Sequence, residues 1–194
     1  MLRMVFFLKG SKGLSYYGTA TALSVARMYL AGASVGDYAL FGGGITGSVS
    51  NVVDAYNTSL TRSTPTALSV GRRNLAGASV GDYVLFGGGS TGSSSDVVDA
   101  YDTSLTRSTP TALSAGRYGL AGASVGDYVL FGGGTTGSSS DVVDAYDTSL
   151  TRSTPTVLSV ARYYLAGASV GNYALFGGGY AGSYSDVVDA YEFS

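Results

Sequence analysis

Apolar residues along this chain fall in short runs of four to six, separated by clusters of Gly, Ser, Thr, Asn and Asp. No run carries a helical period. The first full set of runs predicts strand A over 30–35, strand B over 38–41, strand C over 52–56 and strand D over 62–69. Gly36-Asp37 sits between A and B and suits a two-residue hairpin turn. Gly42-Gly43-Gly44 ends strand B. Pro65 has no N–H to give a ladder, which places strand D at an outer edge. Strand A is rich in Ala, Gly and Ser, as an innermost strand crowded by its neighbours would be.

The set repeats. Ala-Gly-Ala-Ser-Val-Gly begins at Ala31, Ala76, Ala121 and Ala166, a step of 45 residues each time. Leu-Phe-Gly-Gly-Gly begins at Leu40, Leu85, Leu130 and Leu175, and Val-Val-Asp-Ala-Tyr at Val52, Val97, Val142 and Val187. Leu-Thr-Arg-Ser-Thr-Pro-Thr occurs at Leu60, Leu105 and Leu150 only. A period of this length with four strands per unit predicts an all-β, four-bladed β-propeller. The last unit stops after strand C. Residues 21–26 match the tail of strand D at 66–71. The expectation is therefore a D strand over 16–26 that completes the last blade and closes the ring. The domain would span 16–194, with blades starting near 27, 72, 117 and 162 and a separate N-terminal segment over 1–15.

The unit resembles a kelch repeat. The residues that carry the likeness are Arg27, Tyr38, Phe41, Gly42-Gly43 and Tyr56, each recurring at the same step. The likeness covers about 16–194 and departs at strand D, where Ser63, Ser108 and Ser153 stand in place of the usual Trp. Kelch propellers more often have six or seven blades, so a ring shared by two chains is the alternative to closure within one. Some kelch-like enzymes are copper oxidases. Their site depends on His and a Cys-modified Tyr, and this chain has neither residue type.

Composition narrows the chemistry further. Without His or Cys the usual zinc ligands, disulfides and thiol or Ser–His nucleophiles are excluded. The net charge is −2 and no basic run exists, so a nucleic-acid partner is not expected. No segment approaches the ~18 apolar residues of a membrane helix, and the short apolar run at 5–8 lacks the cleavage site of a signal peptide. The triple glycines are flanked by strands with no Lys after them, so they are turns rather than phosphate loops. Asp54, Asp99, Asp144 and Asp189 recur in equivalent surroundings, whereas acid–base catalysis needs carboxylates in unlike ones. They are expected to pair with Arg27, Arg62 or their counterparts; in the last unit Tyr17 stands where the second Arg would fall. No catalytic residue, cofactor or metal site is expected.

The units differ strongly at few positions, most others being identical or conservative. After the opening Arg come Met28-Tyr29, Arg73-Asn74, Tyr118-Gly119 and Tyr163-Tyr164. After the triple Gly come Ile45, Ser90, Thr135 and Tyr180, and four residues later Val49, Ser94, Ser139 and Tyr184. All of these lie at B–C or D–A connections, which share one face of an up-and-down blade. Eight of the 16 Tyr occupy repeated framework positions, two lie in the N-terminal strand, and the other six all occupy varying positions. Tyr gives large contact area and a hydroxyl at small entropy loss. The expectation is a non-enzymatic module binding a protein or glycan on that face, as a monomer or homodimer. The alternatives are a self-assembling structural unit and, last, a propeller hydrolase or epimerase.

Overall fold

Gly36 takes a left-handed φ of 50° and Val35 faces Tyr38 across it, the hairpin turn that favours glycine at its first central position. The same turn recurs at Gly81, Gly126 and Gly171. In the computed structural model, which describes residues 13–194, these hairpins build four antiparallel sheets, with no helix among the described residues. The first sheet holds β1 (Ala31–Val35), β2 (Tyr38–Gly42), β3 (Val53–Asn57) and β4 (Arg62–Ser63). The second holds β5 (Ala76–Val80), β6 (Tyr83–Gly87), β7 (Val98–Asp102) and β8 (Arg107–Ser108). The third holds β9 (Ala121–Val125), β10 (Tyr128–Gly132), β11 (Val143–Asp147) and β12 (Arg152–Ser153). The fourth holds β13 (Ala166–Val170), β14 (Tyr173–Gly177) and β15 (Val188–Glu192). Strands within each sheet follow chain order. The expected segment over 1–15 lies mostly outside the described residues.

Strand D is shorter than the pattern predicts. It pairs only through its Arg and Ser, as Tyr56 with Arg62 and Ala55 with Ser63. Beyond them Pro65 offers no N–H, and the chain leaves to bridge two sheets. The Leu68 and Arg72 N–H groups donate back to Asn51 and Ser50 carbonyls of the first sheet, while the Ser69 N–H donates to Asp99 of the second.

The same geometry corrects the expected closure. Residues 16–26 form no strand and join no sheet, and the fourth sheet keeps three strands. The segment lies instead along the first sheet. The Tyr56 hydroxyl donates to the Thr21 carbonyl at 2.8 Å, and the Ser24 N–H donates to Asp54 at 3.0 Å. These repeat the contacts of Thr66 and Ser69 with Tyr101 and Asp99. The reason is local: 21–26 matches the bridge that leads into a sheet. The pairing part of the motif, Arg62-Ser63, has Tyr17-Gly18 as its counterpart, and Tyr17 is exposed.

The core lies between sheets, in three layers built to one rule. One face of a sheet supplies small and branched residues: Ala31, Val35, Leu40, Val53 and Ala55. The next sheet answers with Leu68, Leu75, Val84, Phe86 and Tyr101. The period-2 alternation of β2 makes this possible, because Leu40 and Phe41 point to opposite faces. The pattern recurs between the second and third sheets and between the third and fourth. The first strands lie side by side, β1 by β5, β5 by β9 and β9 by β13. Their serines lace them together: the Ser79, Ser124 and Ser169 hydroxyls donate to the carbonyls of Ser34, Ser79 and Ser124.

Each sheet is pinned by a buried ion pair. Arg27 lies 2.7 Å from Asp54, Arg72 2.5 Å from Asp99, Arg117 2.9 Å from Asp144 and Arg162 2.7 Å from Asp189. The guanidinium also reaches strand-end carbonyls, as Arg27 does at Gly43 and Phe41, so one side chain ties the incoming bridge to strands B and C. Burial opposes the charge on Asp54, but hydrogen bonds from Arg27 and Ser24 outweigh it and hold the carboxyl below its usual range. The strand D arginines, Arg62, Arg107 and Arg152, add a second and longer contact at 3.7, 3.0 and 3.4 Å. Both arginines of a unit therefore serve its Asp, and Asp189 has Arg162 alone among the described residues.

Candidate functional site

The varying positions meet because of the triple glycine. Gly43 and Gly44 are left-handed, with φ of 72° and 105°. A Cβ on Gly43 would sit 2.6 Å from the Arg72 carbonyl of the next sheet. Glycine there lets the chain fold back tightly, so Ile45 bridges to Met28 on one side and Val49 on the other. The bridge to Met28 is a reciprocal pair of backbone hydrogen bonds, 3.2 and 2.9 Å long.

Every unit has this three-residue ladder. Arg73, Ser90 and Ser94 form the second, Tyr118, Thr135 and Ser139 the third, and Tyr163, Tyr180 and Tyr184 the fourth. Positions far apart in sequence thus share one patch per sheet. Chemistry is matched within a patch: apolar in the first, polar in the second and aromatic throughout the fourth. Ser90 and Thr135 are buried at the centre of their ladders, whereas Tyr180 is exposed.

The remaining varying position links the sheets. The Asn74 N–H donates to the Tyr29 carbonyl at 2.9 Å, that of Gly119 to Asn74 at 2.9 Å, and that of Tyr164 to Gly119 at 2.7 Å. All four residues are left-handed, with φ of 59°, 52°, 63° and 52° in chain order. Gly and Asn accept that conformation readily, whereas a bulky residue there costs on the order of 1 kcal/mol. Tyr29 and Tyr164 hold it with more than half of each side chain's residue surface exposed.

Four tyrosine rings run together on the fourth sheet. Tyr163 meets Tyr164 at 5.1 Å between centroids and Tyr180 at 5.5 Å, and Tyr180 meets Tyr184 at 6.0 Å. These spacings are those of edge-on aromatic contacts. Tyr163, Tyr164, Tyr180 and Tyr184 line a cleft of about 370 Å³. A neighbouring cleft of about 490 Å³ adds Tyr118, Thr135 and Ser139 from the third sheet and shares Tyr163, Tyr164 and Tyr180. A third, of about 310 Å³, runs past Tyr29, Asn74, Gly119 and Tyr164. Tyr164 lines all three clefts. The cleft walls also include Gly137, Ser138, Gly179 and Gly182, which sequence comparison between units passed over because they do not vary. Met28, Ile45 and Val49 form the ladder of the first sheet, while Tyr29 shares the 310 Å³ cleft with Tyr164.

Framework tyrosines behave differently. The hydroxyls of Tyr56, Tyr101, Tyr146 and Tyr191 each donate to a threonine carbonyl of the bridge, at 2.7–2.8 Å. Burial, then the nearby Asp189 charge, pushes Tyr191 up to about 12. Tyr101 and Tyr146 are raised for the same reasons. These rings are structural, each edge-on to the Phe of its own sheet.

Among the described residues no helix is long and apolar enough to cross a membrane. Comparison with known family profiles and with curated proteins finds no match to this chain.

Proposed function

We propose that the chain is a non-enzymatic recognition module, an array of kelch-like propeller blades that binds a protein or glycan through its tyrosine-rich face. One observation carries the reading. Tyr164 holds a strained left-handed backbone, exposed beside three other tyrosines, where Gly119 fills the equivalent place without strain. Strained backbone conformations cluster at ligand clamps and binding sites, and here the strain coincides with a group of exposed aromatic rings. Aromatic rings with free edges and hydroxyls suit both the apolar faces of sugars and the side chains of a peptide. The expected ligand contacts are Tyr118, Tyr163, Tyr164, Tyr180 and Tyr184, with Tyr29, Asn74 and Thr135 at the margins.

The test is a glycan array alongside a surface-protein binding screen, with the chain and a variant in which Tyr163, Tyr164, Tyr180 and Tyr184 are all serine. The variant is expected to lose at least tenfold in affinity for any ligand found, the scale of losing an aromatic hot spot, while its melting temperature stays within a few degrees. Undiminished binding by the serine variant would sink the proposal.

A further inference from the structure

Each layer of the core is made by two unlike faces, and among the described residues one face of each kind is left uncovered. The first sheet presents Leu23, Leu30, Ala39, Phe41, Tyr56 and Leu60 around an apolar groove of about 750 Å³. These are the counterparts of Leu68, Leu75, Val84, Phe86, Tyr101 and Leu105, which lie in or against the layer between the first and second sheets. The fourth sheet presents the opposite face. Val170 and Val188 are 60% and 61% exposed, whereas their counterparts Val125 and Val143 in the third sheet are 6% and 0% exposed.

We propose that a second copy of this chain docks head to tail, its first sheet seated on the fourth sheet of its partner, continuing the interface that joins consecutive sheets. The argument is continuity. The ring, backbone and serine contacts that join consecutive sheets have both halves present on the bare faces. Phe86, Phe131 and Phe176 each cover the glycine that ends strand B of the preceding sheet, Gly42, Gly87 and Gly132. Gly177 is the next such glycine, and a Cβ placed there meets only Val188 of its own sheet, at 3.5 Å. Phe41 is the matching ring, 37% exposed where the other three are fully buried.

Polar contacts follow the same rule. The left-handed residues pass a hydrogen bond from each sheet to the one before, ending at Tyr29, whose N–H is a donor, and Tyr164, whose carbonyl is an acceptor. Gly44, Gly89 and Gly134 donate to the Arg72, Arg117 and Arg162 carbonyls of the following sheet. Gly179 and Arg27 are the next pair in that series. In the serine ladder the Ser34 hydroxyl and the Ser169 carbonyl stand at the two ends. A face so built matches a repeat of this same unit better than any unrelated surface, and a second copy supplies one with every residue in place. Because the two faces differ, the contact is heterologous: it forms a ring where the rotation closes and a longer array where it does not.

Sedimentation equilibrium of the full chain tests this. The expected mass is at least twice the 19.6 kDa of one chain, and it falls on dilution. Two variants then separate the faces. Gly177→Leu fills the socket on the fourth sheet without touching internal packing, and Phe41→Lys removes the ring on the first. Each alone is expected to weaken association by about tenfold or more, the effect of disrupting an interface centre, with strand content by circular dichroism unchanged. Mixing the two restores a dimer, because the intact first sheet of one meets the intact fourth sheet of the other. A single-chain mass at concentrations up to about 100 μM, well above the μM Kd at the weak end of standard interfaces, would overturn the proposal. So would a mixture in which both folded variants stay monomeric, or an undisturbed dimer in either variant alone.

Discussion

Strands β9 and β13 have the same five residues, Ala-Gly-Ala-Ser-Val, and opposite environments. In β9 the Ala and Val side chains are buried against the fourth sheet; β13 is exposed along its whole length. The same strand sequence, the same register to the next strand and a turn of the same conformation do not make the same packing. What differs is whether another of the described sheets lies against the strand. The third sheet is covered on both faces and the fourth on one. Burial in this molecule is thus a property of position in the array, and an equivalent substitution should have unequal consequences in the two sheets.

The largest contrast is expected at the ion pairs. Asp144→Ala leaves Arg117 buried without its carboxylate and should cost about 3–5 kcal/mol in urea unfolding. The same change at Asp189 should cost less, because that carboxyl is 17% exposed and water reaches the vacated site. Equal losses would mean that the outer sheet is as dry as the inner one.

Next come the phenylalanines. Phe131→Ala should cost about 3–5 kcal/mol, since the ring is fully buried between the second and third sheets. Phe41→Ala should cost under about 2 kcal/mol for the isolated chain, because the area withdrawn from water is smaller. The difference should narrow at high protein concentration if a second copy covers that ring, which makes the dilution series the sharper measurement.

The left-handed position offers a smaller change of opposite sign. Tyr164→Gly restores the residue that Gly119 supplies in the third sheet. Relief of backbone strain should raise stability by up to about 1 kcal/mol while ligand binding falls. A destabilised variant would show that Tyr164 is kept for packing. The smallest effect is alkaline. Tyr191 has its pKa raised from 10.0 to about 12, so above pH 10 the unfolded chain loses that proton first. Its contribution to stability is complete below pH 10 and fades as the pH climbs toward about 12, a loss that Tyr191→Phe should remove from the pH profile.

Much of this was legible in the residues. The hairpin at Gly36-Asp37, the order of strands within a sheet and the pairing of the recurring Asp with Arg follow from a repeated local code. So does the grouping of the varying positions at one set of connections, although the bridge of Ile45 to Met28 and Val49 needs the fold-back at Gly43 and Gly44. The length of strand D was not legible. Thr66 to Val70 has strand-like composition, yet its N–H groups are taken by neighbouring sheets, and composition carries no record of which acceptor wins. The N-terminal segment misled for the same reason. Thr21 to Ala26 is written like Thr66 to Gly71, and only the contacts with Asp54 and Tyr56 reveal that the motif is a bridge into a sheet.

Local sequence specifies four repeats of the same three-strand core of a sheet, because turn chemistry, alternation and the Arg–Asp clamp act within about 45 residues and need no distant partner. It also determined where the copies differ. Tertiary structure alone decided which copies are covered. The same Val is buried at position 125 and bare at 170, because the hydrophobic effect acts on whatever surface arrives beside it, and that depends on the neighbouring sheet rather than on the residue.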